Sequence, residues 1–273
     1  MTAFMVWNVG KKNLDSLVQS LVREHKIDVL LLVEFYPAGS GSTLSTLLLG
    51  DGLTRRNISE RFGVFTRHGF GARMQPVTAL GDRVEFWDWT PDQINHARFA
   101  LVHGLDRRNN DDGTRRVFFR RIADTIGGFE ATTHRRSMVV GDFNANPFES
   151  SILSSDGLHA IGIRKNINKT RRLVRLGDVD EDFFYNPMWR KYGQDAAMEA
   201  GAATHYWQNN QSSELFWHML DQVVIRPEEC DRFPEDQLRI VSTVGTVSLL
   251  STDGSLDTTT GSDHLPVIFH WNL

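Results

Sequence analysis

The sequence predicts an α/β domain built on two packed sheets, and three observations predict it. The chain opens as strand, helix, strand; its middle and second half are dominated by short extended segments parted by turns; and no linker long enough to separate domains interrupts residues 1–273. No internal repeat at a solenoid period is present either, so a single domain over 1–273 is expected.

After a first short strand ending at Trp7-Asn8, Asn13 is placed to cap a helix whose apolar residues Leu14, Leu17, Val18, Leu21 and Val22 recur at helical spacing. Arg23, His25 and Lys26 suit the negative end of that helix. Ile27 to Val33 is almost uniformly apolar, as in a strand covered on both faces, and delivers Glu34 at its end. Gly39-Ser40-Gly41-Ser42 reads as a loop. Extended segments follow at Arg61 to Arg67, Met74 to Leu80, Arg83 to Trp89 and Arg98 to His103, with Gly69, Gly71 and Gly81 as turns.

A second helix is expected from Thr114 to Ile126, with Val117, Phe118, Ile122 and Ile126 on one face and Gly127-Gly128 ending it. Ser137-Met138-Val139-Val140 is a strand leading into Gly141-Asp142-Phe143-Asn144. Residues 164–182, basic and then acidic, read as an exposed loop. Leu220 to Ile225, Leu238 to Val244, Thr246 to Leu250 and His264 to Trp271 complete a sheet-rich second half.

With 40% hydrophobic and 23% charged residues, the composition is that of an ordinary globular chain, not a disordered or fibrous one. A net charge of −4 argues against a uniformly basic nucleic-acid coat, although local Arg-rich surface and an acidic metal site cancel in such a sum. The lone Cys230 rules out an internal disulfide and gives no support to a cysteine zinc site; with no basic-then-apolar leader visible, the cytoplasm is the expected location and no membrane contact is expected.

Polar residues collect at strand ends, where a rigid sheet aims side chains into a cleft. Five such elements are Trp7-Asn8, Val33-Glu34, Val102-His103, Gly141-Asp142-Phe143-Asn144 and Ser262-Asp263-His264; a sixth is Leu220-Asp221-Gln222-Val223-Val224. Taken singly, each has an ordinary reading: Asn8 as a turn residue, Asp142 as an Asx turn, Ser262-Asp263 as a cap, His103 and His264 as satisfied core histidines. Asp221 is harder to set aside, because a carboxylate inside an apolar strand costs free energy to bury unless paired, and His264 is a candidate partner.

In this order, over nearly the whole chain, the set resembles the endonuclease/exonuclease/phosphatase superfamily. The resemblance implies a four-layer α/β/β/α sandwich of two packed mixed β-sheets flanked by helices. It further implies a Mg²⁺-dependent phosphoesterase, with Mn²⁺ as an alternative, in which Glu34 is the principal metal ligand and Asn8 and Asp263 lie nearby. Asp142 would position or deprotonate the attacking water, and Asn144 would donate its amide to the phosphate or the nucleophile. His264 would act as general base or phosphate donor with Asp221 fixing its tautomer, and His103 would assist the phosphate or the leaving oxygen. Within Ser59-Glu60-Arg61-Phe62, Glu60 matches the carboxylate that partners the first histidine in pancreatic-type DNases. No tyrosine matches the phosphate-side residue of abasic-site endonucleases.

Substrate contact is expected from Lys165, Lys169, Arg171, Arg172 and Arg175, with Trp189 and Trp207 as base-stacking candidates. Three readings remain: a nuclease acting on DNA or RNA, an enzyme of the same superfamily acting on a phosphorylated small molecule or lipid headgroup, and a catalytically silent binding module.

Overall fold

The computed structural model describes residues 1–36, 41–57, 59–70, 73–90, 96–170, 173–176, 179–192, 203–207 and 216–272. Two mixed sheets dominate. The first runs in the order Arg239–Ile240, Val267–Trp271, Thr2–Asn8, Val29–Val33, Phe62–Arg67, Leu53–Arg55. The second runs Met74–Leu80, Val84–Trp89, Ala97–His103, Ser137–Asp142, Asp221–Ile225, Phe184–Tyr185, Ala160–Ile161. Thr2–Asn8 and Val29–Val33 pair in parallel, as the strand-helix-strand opening requires, and so do Ala97–His103 and Ser137–Asp142 across the helix that joins them.

Side-chain alternation along each strand sorts the apolar residues into three layers. Phe4, Val6, Val29 and Leu31 face Phe99, Leu101, Met138 and Val140 between the sheets. Met5, Trp7, Leu30 and Leu32 face outward onto Val18, Leu21, Val22, Leu44 and Leu48 of the helices Asp15–Glu24 and Gly41–Gly50. On the far side, Ala100, Val102, Val139 and Val224 pack on Phe119, Ile122 and Ile126 of the helix Asp112–Glu130. Three apolar layers between four structural ones make an α/β/β/α sandwich.

The elements differ from expectation at their ends. Asn13 accepts from the backbone N–H of Asp15 at 3.3 Å, and Leu14 occupies the capping position itself. Asp111 caps the long helix by accepting from Thr114 N at 2.7 Å, and the helix continues through Gly127 and Gly128 to Glu130. Glu130 is held there by buried Arg226, whose Nη2 lies 2.9 Å from its carboxylate, so a tertiary ion pair outweighs the glycines' reluctance. The segment expected as an exposed loop instead forms the helix Arg164–Thr170 and the hairpin Leu173–Leu176/Val179–Asp182. Of Gly39-Ser40-Gly41-Ser42, the first two lie outside the described residues and Gly41 begins a helix. Leu238 to Val244 is broken into Arg239–Ile240 and Thr243–Val244, the second pairing with Val247–Ser248 away from the main sheets. Among the described residues, no helix is long and apolar enough to cross a membrane.

Candidate active site

Alternation also decides where the polar strand ends point. Val6, Leu101, Val140 and Val223 all face the inter-sheet core, so Asn8, His103, Asp142 and Asp221, each two residues away, project into the same space at one end of the sandwich. Register completes the row: His103 lies opposite Asp142, and Asp142 opposite Asp221, across three adjacent strands. The result is a cleft of about 680 Å³ lined by Asn8, Glu34, His103, Asp142, Asn144, Asp263 and His264, with cationic and aromatic side chains farther out.

Asp142 is the centre of this cleft and is almost fully buried. Its Oδ1 accepts from the backbone N–H of Asn144 at 2.8 Å, and its Oδ2 accepts from Asn8 Nδ2 at 2.9 Å and from Asn144 Nδ2 at 3.3 Å. Asn144 reaches this position through a left-handed backbone, φ 50°, which turns its N–H back onto Asp142. Gly141 permits the approach of the neighbouring strand, since a Cβ there would stand 2.1 Å from the Val102 carbonyl oxygen. Burial raises the Asp142 carboxyl above its ordinary value, against the pull of His264 and His103.

His264 Nδ1 lies 2.7 Å from Asp221 Oδ2, and its Nε2 lies 4.0 Å from Asp142 Oδ2. Trp7 Nε1 donates to the His264 carbonyl at 2.8 Å, and Thr204 Oγ1 accepts from the Asp221 N–H at 2.9 Å. Burial would lower the His264 pKa, but the carboxylates of Asp221 and Asp142 outweigh it and carry the group up to about 10. His264 is therefore an imidazolium at neutral pH, with Nδ1–H on Asp221 and Nε2–H toward the cleft.

The residues expected to hold a divalent cation offer an all-oxygen set, the chemistry that a hard ion such as Mg²⁺ takes. Asn8 Oδ1 accepts from Gly10 N at 2.9 Å and retains a second lone pair. Gly10 has φ +56°, and a Cβ there would come within 3.0 Å of Asp263 Oδ1, so the absence of a side chain keeps the space between Asn8 and Asp263 open. Glu34, also left-handed at φ 52°, turns out of its strand into the cleft; burial raises its carboxyl, opposed by Lys11. Burial pushes Asp263 up as well, yet His264 and His205 pull it below its ordinary value. The donor set fits the group in its chemistry; in position, the described carboxylates and histidines whose ligand atoms lie within 4.8 Å of one another are His205, Asp263 and His264, and Asp142, Asp221 and His264, so Asp263 is shared with the expected set and Glu34 stands apart.

His103 Nε2 lies 3.3 Å from Glu34 Oε1 and 3.8 Å from Asp142 Oδ2. Burial lowers its pKa to about 4, so the ring is neutral. Glu60 is exposed at the start of a turn and does not reach it; the group at His103 Nδ1 is instead Arg61 Nη1, at 2.9 Å. Strand geometry accounts for the change: Arg61 abuts the strand Phe62–Arg67, and its carbonyl accepts from Phe35 N at 2.9 Å, which fixes it beside Glu34.

The expected substrate residues divide. Trp207 lines the cleft, with the Arg108 guanidinium 4.8 Å over its ring. Trp189 packs on Gly162 rather than lining the cleft. Lys165 is exposed in the helix Arg164–Thr170, which also carries Lys169; Arg175 belongs to the strand Leu173–Leu176, and Arg171 and Arg172 lie outside the described residues.

Sequence reasoning passed over several cleft residues. His205 Nδ1 lies 2.7 Å from the Asp263 carbonyl and its ring 4.7 Å from that of His264. His218 Nδ1 meets Asn146 Nδ2 at 2.9 Å. Lys11, Arg61 and Arg83 add positive charge to the walls, together with Arg107 and Arg108, a pair that the sequence already offers as surface for a polyanion. Asn146, buried two residues past Asn144 in the same loop, does not line the cleft but holds His218 from behind it.

Carboxylates, amides and histidines gathered between the ends of two sheets, on a four-layer α/β/β/α sandwich, define a class of phosphoesterase folds. The chain belongs to the endonuclease/exonuclease/phosphatase family, whose sequence model matches residues 5–264. Enzymes of this family depend on a divalent metal. No curated protein matches the chain by sequence. Among solved structures, an AP endonuclease from Archaeoglobus fulgidus superposes with a TM-score of 0.58 at 13% identity, covering 100% of each chain. A 3'-5' exonuclease (NExo) from Neisseria meningitidis gives a TM-score of 0.58 at 15% identity, also covering 100% of each. TDP2 from D. rerio, complexed with a single strand DNA product, gives 0.57 at 13% identity, covering 100% of this chain and 99% of that one.

Proposed function

We propose that this chain is a Mg²⁺-dependent phosphodiester hydrolase acting on nucleic acid, DNA or RNA. One observation carries the reading: a buried Asp142 carboxylate, anchored on both oxygens, stands 4.0 Å from a histidine that Asp221 holds at 2.7 Å. In-line hydrolysis needs a water deprotonated on one side of phosphorus and charge stabilised on the phosphoryl oxygens.

Asp142 serves the first need. Its raised pKa makes it a better base than an exposed carboxylate, and Asn144 and Asn8 fix the direction of its remaining lone pairs. His264 serves the second, as an imidazolium donating Nε2–H to a phosphoryl oxygen, while Asp221 holds its other nitrogen. That assignment leaves His264 as donor and Asp142 as base. His103 adds a neutral donor on the same wall, while the Asn144 amide donates to the Gly104 carbonyl at 3.2 Å and to Asp142 Oδ2 at 3.3 Å and so orients the base. Mg²⁺ held by Glu34, Asn8 and Asp263 would supply Lewis-acid polarisation of the phosphate when bound, with Mn²⁺ able to replace it.

Lys11, Arg107 and Arg108 at the walls and Trp207 beside them favour an extended polyanion with stacking bases over a lone phosphate. The DNA product bound to TDP2 from D. rerio is consistent with this preference. The test is hydrolysis by purified protein, with Mg²⁺, Mn²⁺ or EDTA, of single- and double-stranded DNA, RNA and inositol phosphates. Metal-dependent strand cleavage is expected; inorganic phosphate released from monoesters alone would replace this reading with a small-molecule phosphatase.

A further inference from the structure

Arg61 occupies the place at His103 that a carboxylate was expected to fill, and the exchange alters what the histidine can do. Its Nη1 lies 2.9 Å from His103 Nδ1. Its Nε lies 3.1 Å from Asp82 Oδ2, which Nη2 also meets, so Asp82 grips the outer edge of the guanidinium and leaves Nη1 for the ring. Backbone bonds fix both residues: Phe35 N donates to the Arg61 carbonyl at 2.9 Å, and His103 N donates to the Arg83 carbonyl at 2.9 Å. Arg83 Nη1 then closes on the Gly104 carbonyl at 3.0 Å.

A guanidinium has five donors and no acceptor. Nδ1 facing it must carry a lone pair, and the ring proton must then be on Nε2. Nε2 faces the cleft 3.8 Å from Asp142 Oδ2, where an N–H is favoured over a lone pair. A carboxylate partner would do the opposite, taking an Nδ1–H and freeing Nε2 to accept a proton. We infer that Arg61 is a positioning residue that locks His103 as the Nε2–H tautomer, making it a hydrogen-bond donor to the phosphoryl or leaving oxygen and barring it from acting as a base.

This inference rests on the proposed phosphodiesterase reading for its catalytic consequence but not for the tautomer itself, so the two are separable. Protein labelled with ¹⁵N-histidine gives the tautomer directly by two-dimensional NMR, with His103→Gln identifying the signal. Wild-type His103 is expected to show an unprotonated Nδ1 and a protonated Nε2, whether or not any phosphoester is hydrolysed. Arg61→Ala should mix the tautomers and lower kcat on bis-(p-nitrophenyl) phosphate by about 10- to 100-fold with KM little changed, and Arg61→Lys, which keeps a donor, should recover much of the loss. An Nδ1–H tautomer in the wild type, or an Arg61→Ala protein with unaltered tautomer and kcat, overturns the inference. Failure of the wild type to hydrolyse any phosphoester, with the tautomer as expected, would sink the functional reading alone.

Discussion

Asp221 and His264, 43 residues apart in sequence, meet at 2.7 Å in the core of the protein, and Asp221 is wholly buried. A carboxylate so placed is tolerable only as half of a charged pair. The pairing also explains why an acidic residue can open the buried strand Asp221–Ile225.

The pair makes stability depend on pH. His264 is raised to about 10, so its contribution is fully present below the unfolded histidine pKa, about 6.5, and is lost as pH rises through the folded value. Asp221→Asn removes the main source of that shift. Urea unfolding should show the variant less stable than wild type by on the order of 3 kcal/mol at about pH 6, with the gap narrowing by about pH 10.5. A gap that stays constant across this range would mean that His264 is not charged against Asp221.

Metal binding should be visible without turnover. Mg²⁺ or Mn²⁺ that binds only the folded protein raises its melting temperature, with a stabilisation that grows with the logarithm of the ratio of free ion to dissociation constant. Wild type is expected to respond and Glu34→Gln to respond only at much higher concentration, because the variant loses a charged oxygen ligand while keeping its shape. Equal shifts in the two proteins would move the cation away from Glu34.

Cys230, the only cysteine, is 4% exposed, and burial pushes its thiol up to about 12. The thiolate is the reactive form, so alkylation at about pH 8 should be slow in the folded protein and rapid in denaturant. Labelling that is equally fast in both states would contradict this packing between the strands and the 227–229 turn.

What was legible in the sequence followed from strand periodicity. Asn8, His103, Asp142 and Asp221 each end or begin an apolar strand, and alternation alone puts them on the inter-sheet side with Val6, Leu101, Val140 and Val223. The same logic fails off the strands. Glu60 and Arg61 are neighbours at a turn, where no period says which side chain faces inward, and only the tertiary bond from Phe35 N selects Arg61. His205 and His218 lie on a short hairpin, His205–Trp207 with Phe216–His218, that reaches the site by pairing opposite each other and bridging to His264. Residues 164–182 read as a loop because their charges alternate in sign by blocks; yet at the two ends of the segment Arg164 pairs with Glu235, and Glu181 and Asp182 pair with Arg120 and Arg135, so ion pairs to distant residues hold those ends.

Asp142 is the proposed base of a metal-dependent diester hydrolysis, and the initial rate on bis-(p-nitrophenyl) phosphate tests that role without presuming a natural substrate. Wild type with Mg²⁺ or Mn²⁺ should turn over, EDTA should stop it, and Asp142→Asn should lose about 10³-fold or more in kcat while its circular dichroism and melting temperature stay near wild type. Hydrolysis that survives Asp142→Asn, or proceeds undiminished in EDTA, would contradict the mechanism.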